Sequence, residues 1–398
     1  MSETTILFDN ARLLTGERGA ILVRDGRIAA IGEVPDADAA ERFGLAGLLV
    51  VPGFVDGHLH LDKTLLGGPW QPHRPYTNGF SVAERVRFEK AALRAAAPVA
   101  ERAAALLAQV VGHGTTALRT HVDIDPEAGL SNLEAVLALR ERSGHLATIQ
   151  VVAFPQSGIL AAPGTADLLA EALRSGADLI GGLDPATLDR DVTAHLDCVF
   201  GLAERHGVGI DIHLHDGGEA GIAEIEDIAA RTKALGMGGR VAISHAFALG
   251  DVPPDAARRT ADALARAGVA IMTHAPGHRA FPPILLLRER GVRVFCGNDN
   301  IRDAWRPYGS GDMLERAMLV GYRSGFVTDD ELAVAFDLAT GAAAAAIGLS
   351  PYGLSVGAPA DFVALRADGI PDAVATQPSE RWVFKAGRLV ARDGRLLG

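Results

Sequence analysis

Leu49-Val50-Val51-Pro52-Gly53-Phe54-Val55-Asp56-Gly57-His58-Leu59-His60 is an apolar run that ends in two histidines one residue apart. Residues i and i+2 of a strand share a face, so His58 and His60 can reach one ion together. Imidazole is a ligand for zinc or iron. The run is the first of eight. Thr116-Ala117-Leu118-Arg119, Thr148-Ile149-Gln150-Val151-Val152, Leu179-Ile180, Gly209-Ile210-Asp211-Ile212, Val241-Ala242-Ile243, Val269-Ala270-Ile271-Met272 and Val292-Arg293-Val294-Phe295 follow it. Helix-like stretches lie between them, among them 82–112, 166–175, 219–236, 255–267 and 311–325. Eight alternating units over this length predict an α/β (β/α)8 TIM barrel. Strands buried on both faces read as apolar runs rather than strict alternation.

The two ends of the chain have a different texture. Ile6-Leu7-Phe8, Ala20-Ile21-Leu22-Val23 and Arg27-Ile28-Ala29-Ala30-Ile31 are short β runs, with Asp25-Gly26 as a hairpin turn. Asp361 to Leu365, Trp382 to Lys385 and Arg388 to Val390, then Asp393-Gly394, repeat it at the other end. The economical solution pairs the ends into one small β-sandwich domain, residues 1–54 with 352–398. The catalytic barrel then takes 55–351.

Composition bounds the function. The 398 residues are 48% hydrophobic, enough for a large core. The net charge is -11 and no Lys/Arg-rich run occurs, which excludes nucleic acid and anionic membrane as expected partners. Two cysteines outside any CxxC pair, Cys198 and Cys296, fit a reducing cytosol. No signal peptide and no membrane span are read.

In a barrel of this kind, chemistry sits where strands end. Strand five ends in Asp211-Ile212-His213-Leu214-His215-Asp216, strand six in Ser244-His245 and strand eight in Gly297-Asn298-Asp299-Asn300. One such histidine is ordinarily a hydrogen-bonded structural group. Four strand ends carrying ligand types point to a shared metal site. His58, His60, His213 and Asp299 give three imidazoles and a carboxylate, with a position left for water. The ion would bring the pKa of that water toward about 7. Asp299 can take its proton, and His245 is left to orient the nucleophile or polarise the substrate. His215 has the ordinary pKa of a proton shuttle and shares the face of His213. Asp216 is the competing shuttle, and on a regular strand it points the other way.

Val51 to His60 resembles the strand-one signature of the amidohydrolase superfamily. The resemblance spans nearly the whole chain. It runs nearest to the cytosine deaminase and isopropylammelide isopropylaminohydrolase branch, through His60-Leu61-Asp62-Lys63-Thr64, Arg119-Thr120-His121-Val122-Asp123, Val152-Ala153-Phe154-Pro155-Gln156, and Asn298-Asp299-Asn300 with Asp303 and Trp305 beyond. It implies metal ligation by His58, His60, His213 and Asp299, His245 near the substrate, Gln156 on the heterocycle and Lys63 facing it. Asp184, His121, Asn300 and Trp305 are further candidate contacts. Cytosine deaminases carry a glutamate three residues after the strand-five metal histidine, where this chain has Asp216. The His-x-His of this chain is closer to the isopropylammelide type.

Strands three and four end without a lysine, so a bridging carboxylated lysine is not expected, and one divalent ion, zinc or iron, is. A homo-oligomer is implied by resemblance only. His73, His113, His145, His195 and His206 are read as solvated and away from the mouth. His274 and His278 follow strand seven as candidate lining residues, and Trp70, like Trp305, lies in a loop of the active face. The expected reaction is removal of an amino or alkylamino group from a triazine, a cytosine-like pyrimidine or a pterin. Ring opening of a cyclic amide or imide is the alternative.

Overall fold

A computed structural model describes residues 4–34, 41–79, 81–277 and 279–397. Its first five strands are β1 (Thr5–Arg12), β2 (Arg18–Arg24), β3 (Arg27–Gly32), β4 (Glu41–Gly44) and β5 (Leu49–Pro52). Then come β6 (Phe54–Leu59), β7 (Thr115–Asp123), β8 (Thr148–Phe154), β9 (Leu179–Leu183), β10 (Gly209–Leu214), β11 (Val241–His245), β12 (Val269–Thr273) and β13 (Val294–Cys296). The last four are β14 (Phe362–Leu365), β15 (Arg381–Lys385), β16 (Arg388–Arg392) and β17 (Arg395–Leu396).

β6 to β13 pair in chain order and in parallel, the barrel that the alternation predicts. The ring is drawn shut where β13 runs out. Asp299 N–H donates to the His58 carbonyl at 2.8 Å, and Leu59 bridges Asp299. Gly297 makes that approach possible, because a Cβ there would lie 2.5 Å from both the nitrogen and the carbonyl oxygen of His58. Asp56 ties the same two strands from inside. It accepts from Asn298 N at 3.0 Å and from Asn298 Nδ2 at 2.7 Å.

One expected barrel run is displaced. Leu49–Pro52 pairs antiparallel with β14 in the other sheet, and the first barrel strand begins at Phe54. Pro52 has no N–H to donate, and Gly53 N–H goes to Asp361 O at 3.0 Å, still in the end sheet. Only at Phe54, whose N–H meets Gly114 O at 3.0 Å, does the chain enter the barrel. The helix expected over 82–112 is two, Val82–Leu93 and Val99–Gly112, divided just before Pro98.

The ends of the chain do form one unit, a continuous nine-stranded mixed sheet in the order β17-β16-β15-β14-β5-β1-β2-β3, with β4 beside β1. Flat neighbouring strands would hold β1 and β15 three spacings apart, roughly 14 Å. Phe8 of β1 nevertheless meets Phe384 of β15 at 5.1 Å between ring centres, and Phe43 meets Phe384 at 5.4 Å. The sheet therefore folds over on itself, and its two halves make the expected sandwich. Asp25 (φ 48°) and Gly26 (φ 75°) form the left-handed turn between β2 and β3.

Lys385 Nζ, held within this sheet by Asp361 at 2.6 Å, pins it to the barrel through Thr116 O at 3.1 Å and Thr148 Oγ1 at 3.0 Å. Arg381 adds a buried fork onto Asp312, both contacts at 2.7 Å, and the same Asp312 caps the helix Met313–Ser324. Among the described residues no helix is long and apolar enough to cross a membrane.

Candidate metal centre and active site

The strand ends converge. His58 Nε2 lies 3.5 Å and His60 Nε2 3.3 Å from Asp299 Oδ1, and His60 Nε2 is 3.4 Å from His213 Nε2. Donor atoms of His58, His213, His245 and Asp299 all fall within 4.8 Å of one another. His245 thus stands in one group with His58 and His213, while His60 joins through Asp299 and His213. All five residues are buried.

The donor chemistry fits a cation. Ser244 Oγ has one proton, and it goes to Asp211 Oδ1 at 2.6 Å. Its oxygen must therefore accept from His58 Nδ1–H at 2.9 Å, which leaves the His58 Nε2 lone pair bare toward Asp299. Asp211 is itself held by Arg119 at 2.8 Å. His58 Nε2 and His245 Nε2 are buried without a hydrogen-bond partner, a costly state that a shared ion removes. Burial and neighbouring positive charge hold His60 down at about 3 and keep His213 and His245 well below the ordinary histidine value. They are neutral lone-pair donors at neutral pH. Burial alone would raise the Asp299 carboxyl, but the surrounding imidazoles, His274 and His245 first among them, hold it well below the usual range.

Backbone strain gathers at the same rim. Asp184, His245, Ala246, Ala275 and Asp299 all adopt left-handed φ, between 39° and 75°. Such conformations cost about 1–3 kcal/mol each and persist where the surroundings enforce them.

His215 is half-buried beside this cluster, its ring stacked on His245 at 4.5 Å. Asp184 accepts from His215 N at 2.6 Å and engages its Nδ1 at 3.0 Å through Oδ2. Burial lowers the His215 pKa, but the charge and hydrogen bond of Asp184 outweigh it and the net shift is upward. Asp184, expected as a substrate contact, holds His215 and also lines the cavity beside it. Asp216 does not point away from the pocket. With His215, Asp184, Phe247 and Arg279 it lines a cavity of about 670 Å³, the size of a small-molecule site. Burial raises the pKa of Asp216, with the charge of Asp184 adding to it.

On the other flank, Lys63 Nζ donates to Gln156 Oε1, lies 3.0 Å from Asp123 and sits 4.9 Å over the Phe154 ring. Phe154 in turn stacks on His213 at 4.1 Å. Asn300 turns its amide to Asp303 at 2.6 Å, and the Trp305 indole N–H donates to Glu89. His121 packs under the ligands, 4.0 Å from the His58 ring and 3.7 Å from Asp211.

Among the histidines set aside, two are corrected. His195 is fully buried, with Nδ1 2.6 Å from Asp189, because the bend at 185–189 carries that carboxylate back over the helix Val192–His206. His73 meets the Asp303 carbonyl at 2.6 Å, so it belongs to the active face. His145 is exposed, while His113 and His206 are half-buried. His274 does join the site, 3.1 Å from His245 Nδ1 and 3.6 Å from Asp299. It stands directly after β12, where the same strand-end rule finds it. His278 lies outside the described residues. Trp70 is 64% exposed against His73 and lines a separate hollow with Arg85 and Phe88. Glu89 is a site residue that no motif announced.

Residues 43–396 match the amidohydrolase family profile. The chain belongs to the amidohydrolase family. This amidohydrolase is 34% identical over 372 residues to the N-isopropylammelide isopropyl amidohydrolase of Pseudomonas sp. (strain ADP), covering 92% of each chain. A crystal structure of N-isopropylammelide isopropylaminohydrolase from Burkholderia multivorans superposes with a TM-score of 0.94 at 43% identity, over 99% of this chain and 100% of that one. The 5-methylcytosine deaminase of Klebsiella pneumoniae, liganded with 5-fluorocytosine, gives a TM-score of 0.84 at 26% identity and 97% coverage of both.

Proposed function

We propose that this amidohydrolase hydrolyses an exocyclic amino or alkylamino group from a nitrogen heterocycle, an aminotriazine, a cytosine-like pyrimidine or a pterin, with one divalent cation, zinc in preference to iron. The chemistry belongs to residues 55–351, with 1–54 and 352–398 as the small β domain. The observation that carries the reading is the bare, buried His58 Nε2 aimed at Asp299 beside His60 and His213. These four residues would hold the ion. When bound, the cation supplies Lewis-acid activation of water at the ring carbon.

The remaining steps belong to side chains. Asp299 accepts the proton of the attacking water. His245, its Nδ1 turned to His274 at 3.1 Å, directs Nε2 at the reacting carbon and the water. His215 has Nδ1 committed to Asp184, so the proton it delivers to the leaving nitrogen travels through Nε2. Asp216 lines the same cavity and is the competing donor. Gln156, with an amide that both donates and accepts, and Lys63, a donor only, hold the ring edge. His121, Asn300 and Trp305 complete its surroundings. The likeness to relatives named for isopropylammelide and 5-methylcytosine supports removal of a ring amine over ring opening. So does the absence of a lysine at the ends of β8 and β9, which run into Pro155-Gln156 and Asp184.

The test is a panel of aminotriazines, aminopyrimidines and pterins incubated with the metal-loaded chain. Stoichiometric ammonia or alkylamine with the ring absorbance retained is the expected result. Loss of the ring chromophore without amine release sinks the proposal in favour of ring opening.

A further inference from the structure

Glu89 lies on the helix Val82–Leu93, outside every barrel strand, and is 1% exposed. Its two carboxylate oxygens face different partners. Oε2 accepts from the Trp305 indole N–H, and Oε1 stands 3.6 Å from Lys63 Nζ. Oε1 makes no hydrogen bond beyond that ion-pair contact. Lys63 follows β6, Trp305 lies in the loop after β13, and Gln156, the hydrogen-bond partner of Lys63, follows β8. One carboxylate on a peripheral helix thus joins parts of the barrel mouth far apart in sequence.

We propose that Glu89 is a positioning residue for substrate binding, acting through Lys63 and Trp305, which its carboxylate bridges. This rests on the reading of Lys63 and Trp305 as substrate contacts given above.

The physical case has two parts. Lysine carries its charge on a flexible four-carbon stem and is ordered only by its partners. Asp123 holds Lys63 Nζ at 3.0 Å from one side, and Glu89 stands on another, so together they limit where the ammonium points. The half-buried Trp305 indole N–H also needs an acceptor to fix the plane of its ring. The helix that supplies Glu89 is itself fastened to the same loop. Arg85 donates to Ala304 O at 3.0 Å and to Arg74 O at 3.2 Å, while His73 meets Asp303 O. Shifts in this helix therefore reach the ring-binding flank without touching the metal ligands. A glutamine at 89 keeps one acceptor oxygen but turns an NH2 toward the second donor, so it cannot serve both partners.

The experiment compares Glu89→Gln, Glu89→Asp and Trp305→Phe with the parent chain, reading steady-state kinetics, metal content and the indole signals of a 1H–15N spectrum. The chain has three tryptophans, and Trp305→Phe assigns the signal of 305. Expected for Glu89→Gln is a KM raised about 10-fold or more with kcat changed less than about 3-fold, the pattern of lost ground-state binding. Metal content stays at the parent level, and the indole proton of Trp305 moves upfield. Glu89→Asp, which keeps the charge, recovers part of the KM loss. An unmoved Trp305 signal, or an unchanged KM, in a folded Glu89→Gln protein overturns the proposal. If Glu89→Gln does not fold, Glu89→Asp decides by the same two readings. A parent chain that releases no amine from any heterocycle brings down the functional reading instead, and the Trp305 signal then still reports whether the bridge exists.

Discussion

Ser244 decides which nitrogen of His58 faces the ion, because its single proton is used on Asp211. Ser244→Ala removes the acceptor that fixes the His58 tautomer. Metal affinity should fall about 10- to 100-fold, as for other lost partners of ligating histidines, read by competition with a chromophoric chelator. Unchanged affinity would mean that the Arg119–Asp211–Ser244 chain is packing and nothing more. The proton shuttle is tested one shell further out. His215→Asn should lower kcat by roughly 10²- to 10⁴-fold and leave metal content intact. If turnover survives that change and is lost with Asp216→Asn, the shuttle is Asp216. The ligands were legible in the sequence because each stands at the end of an apolar run, and the two-residue spacing of His58 and His60 is a strand-face signature. Glu89 was not. It sits among Glu84, Arg85 and Lys90, a pattern that reads as a solvated helix face, and nothing in a one-dimensional period says the helix lies across the mouth. His195 was misread for the same kind of reason, since the turn at 185–189 that brings back its partner Asp189 has no period that names that contact.

At the scale of elements, closure between β6 and β13 is what places Asp299 among the histidines. Gly297 carries that closure, with backbone atoms of His58 where its Cβ would be. Gly297→Ala should destabilise the chain by about 1–3 kcal/mol, because backbone, unlike a side-chain tip, cannot step aside. Thermal unfolding checks the stability loss, and metal retention in the same sample should fall with it. A variant with parent stability and a full metal complement would show that β6 and β13 tolerate separation. The barrel strands themselves were mostly readable, since seven of the eight expected runs overlap barrel strands. Leu49-Val50-Val51 was not, because an apolar run buried in the end sheet has the same composition as one buried in a barrel. Only Pro52 and Gly53, which break one ladder before the next begins, separate the two.

For the whole molecule, residues 58, 60, 213 and 299 lie up to 241 positions apart, and only the closed barrel brings them together. The outer sheet supports that closure from beneath, through Lys385 on the ends of two barrel strands and Arg381 on the cap of the helix Met313–Ser324. The most direct measurement is an anomalous difference map at the zinc edge from a crystal of the zinc-loaded chain. One strong peak bounded by His58, His60, His213 and Asp299 is the expected result. No peak at that position, or two peaks sharing it, contradicts a single cation held by four converging strand ends.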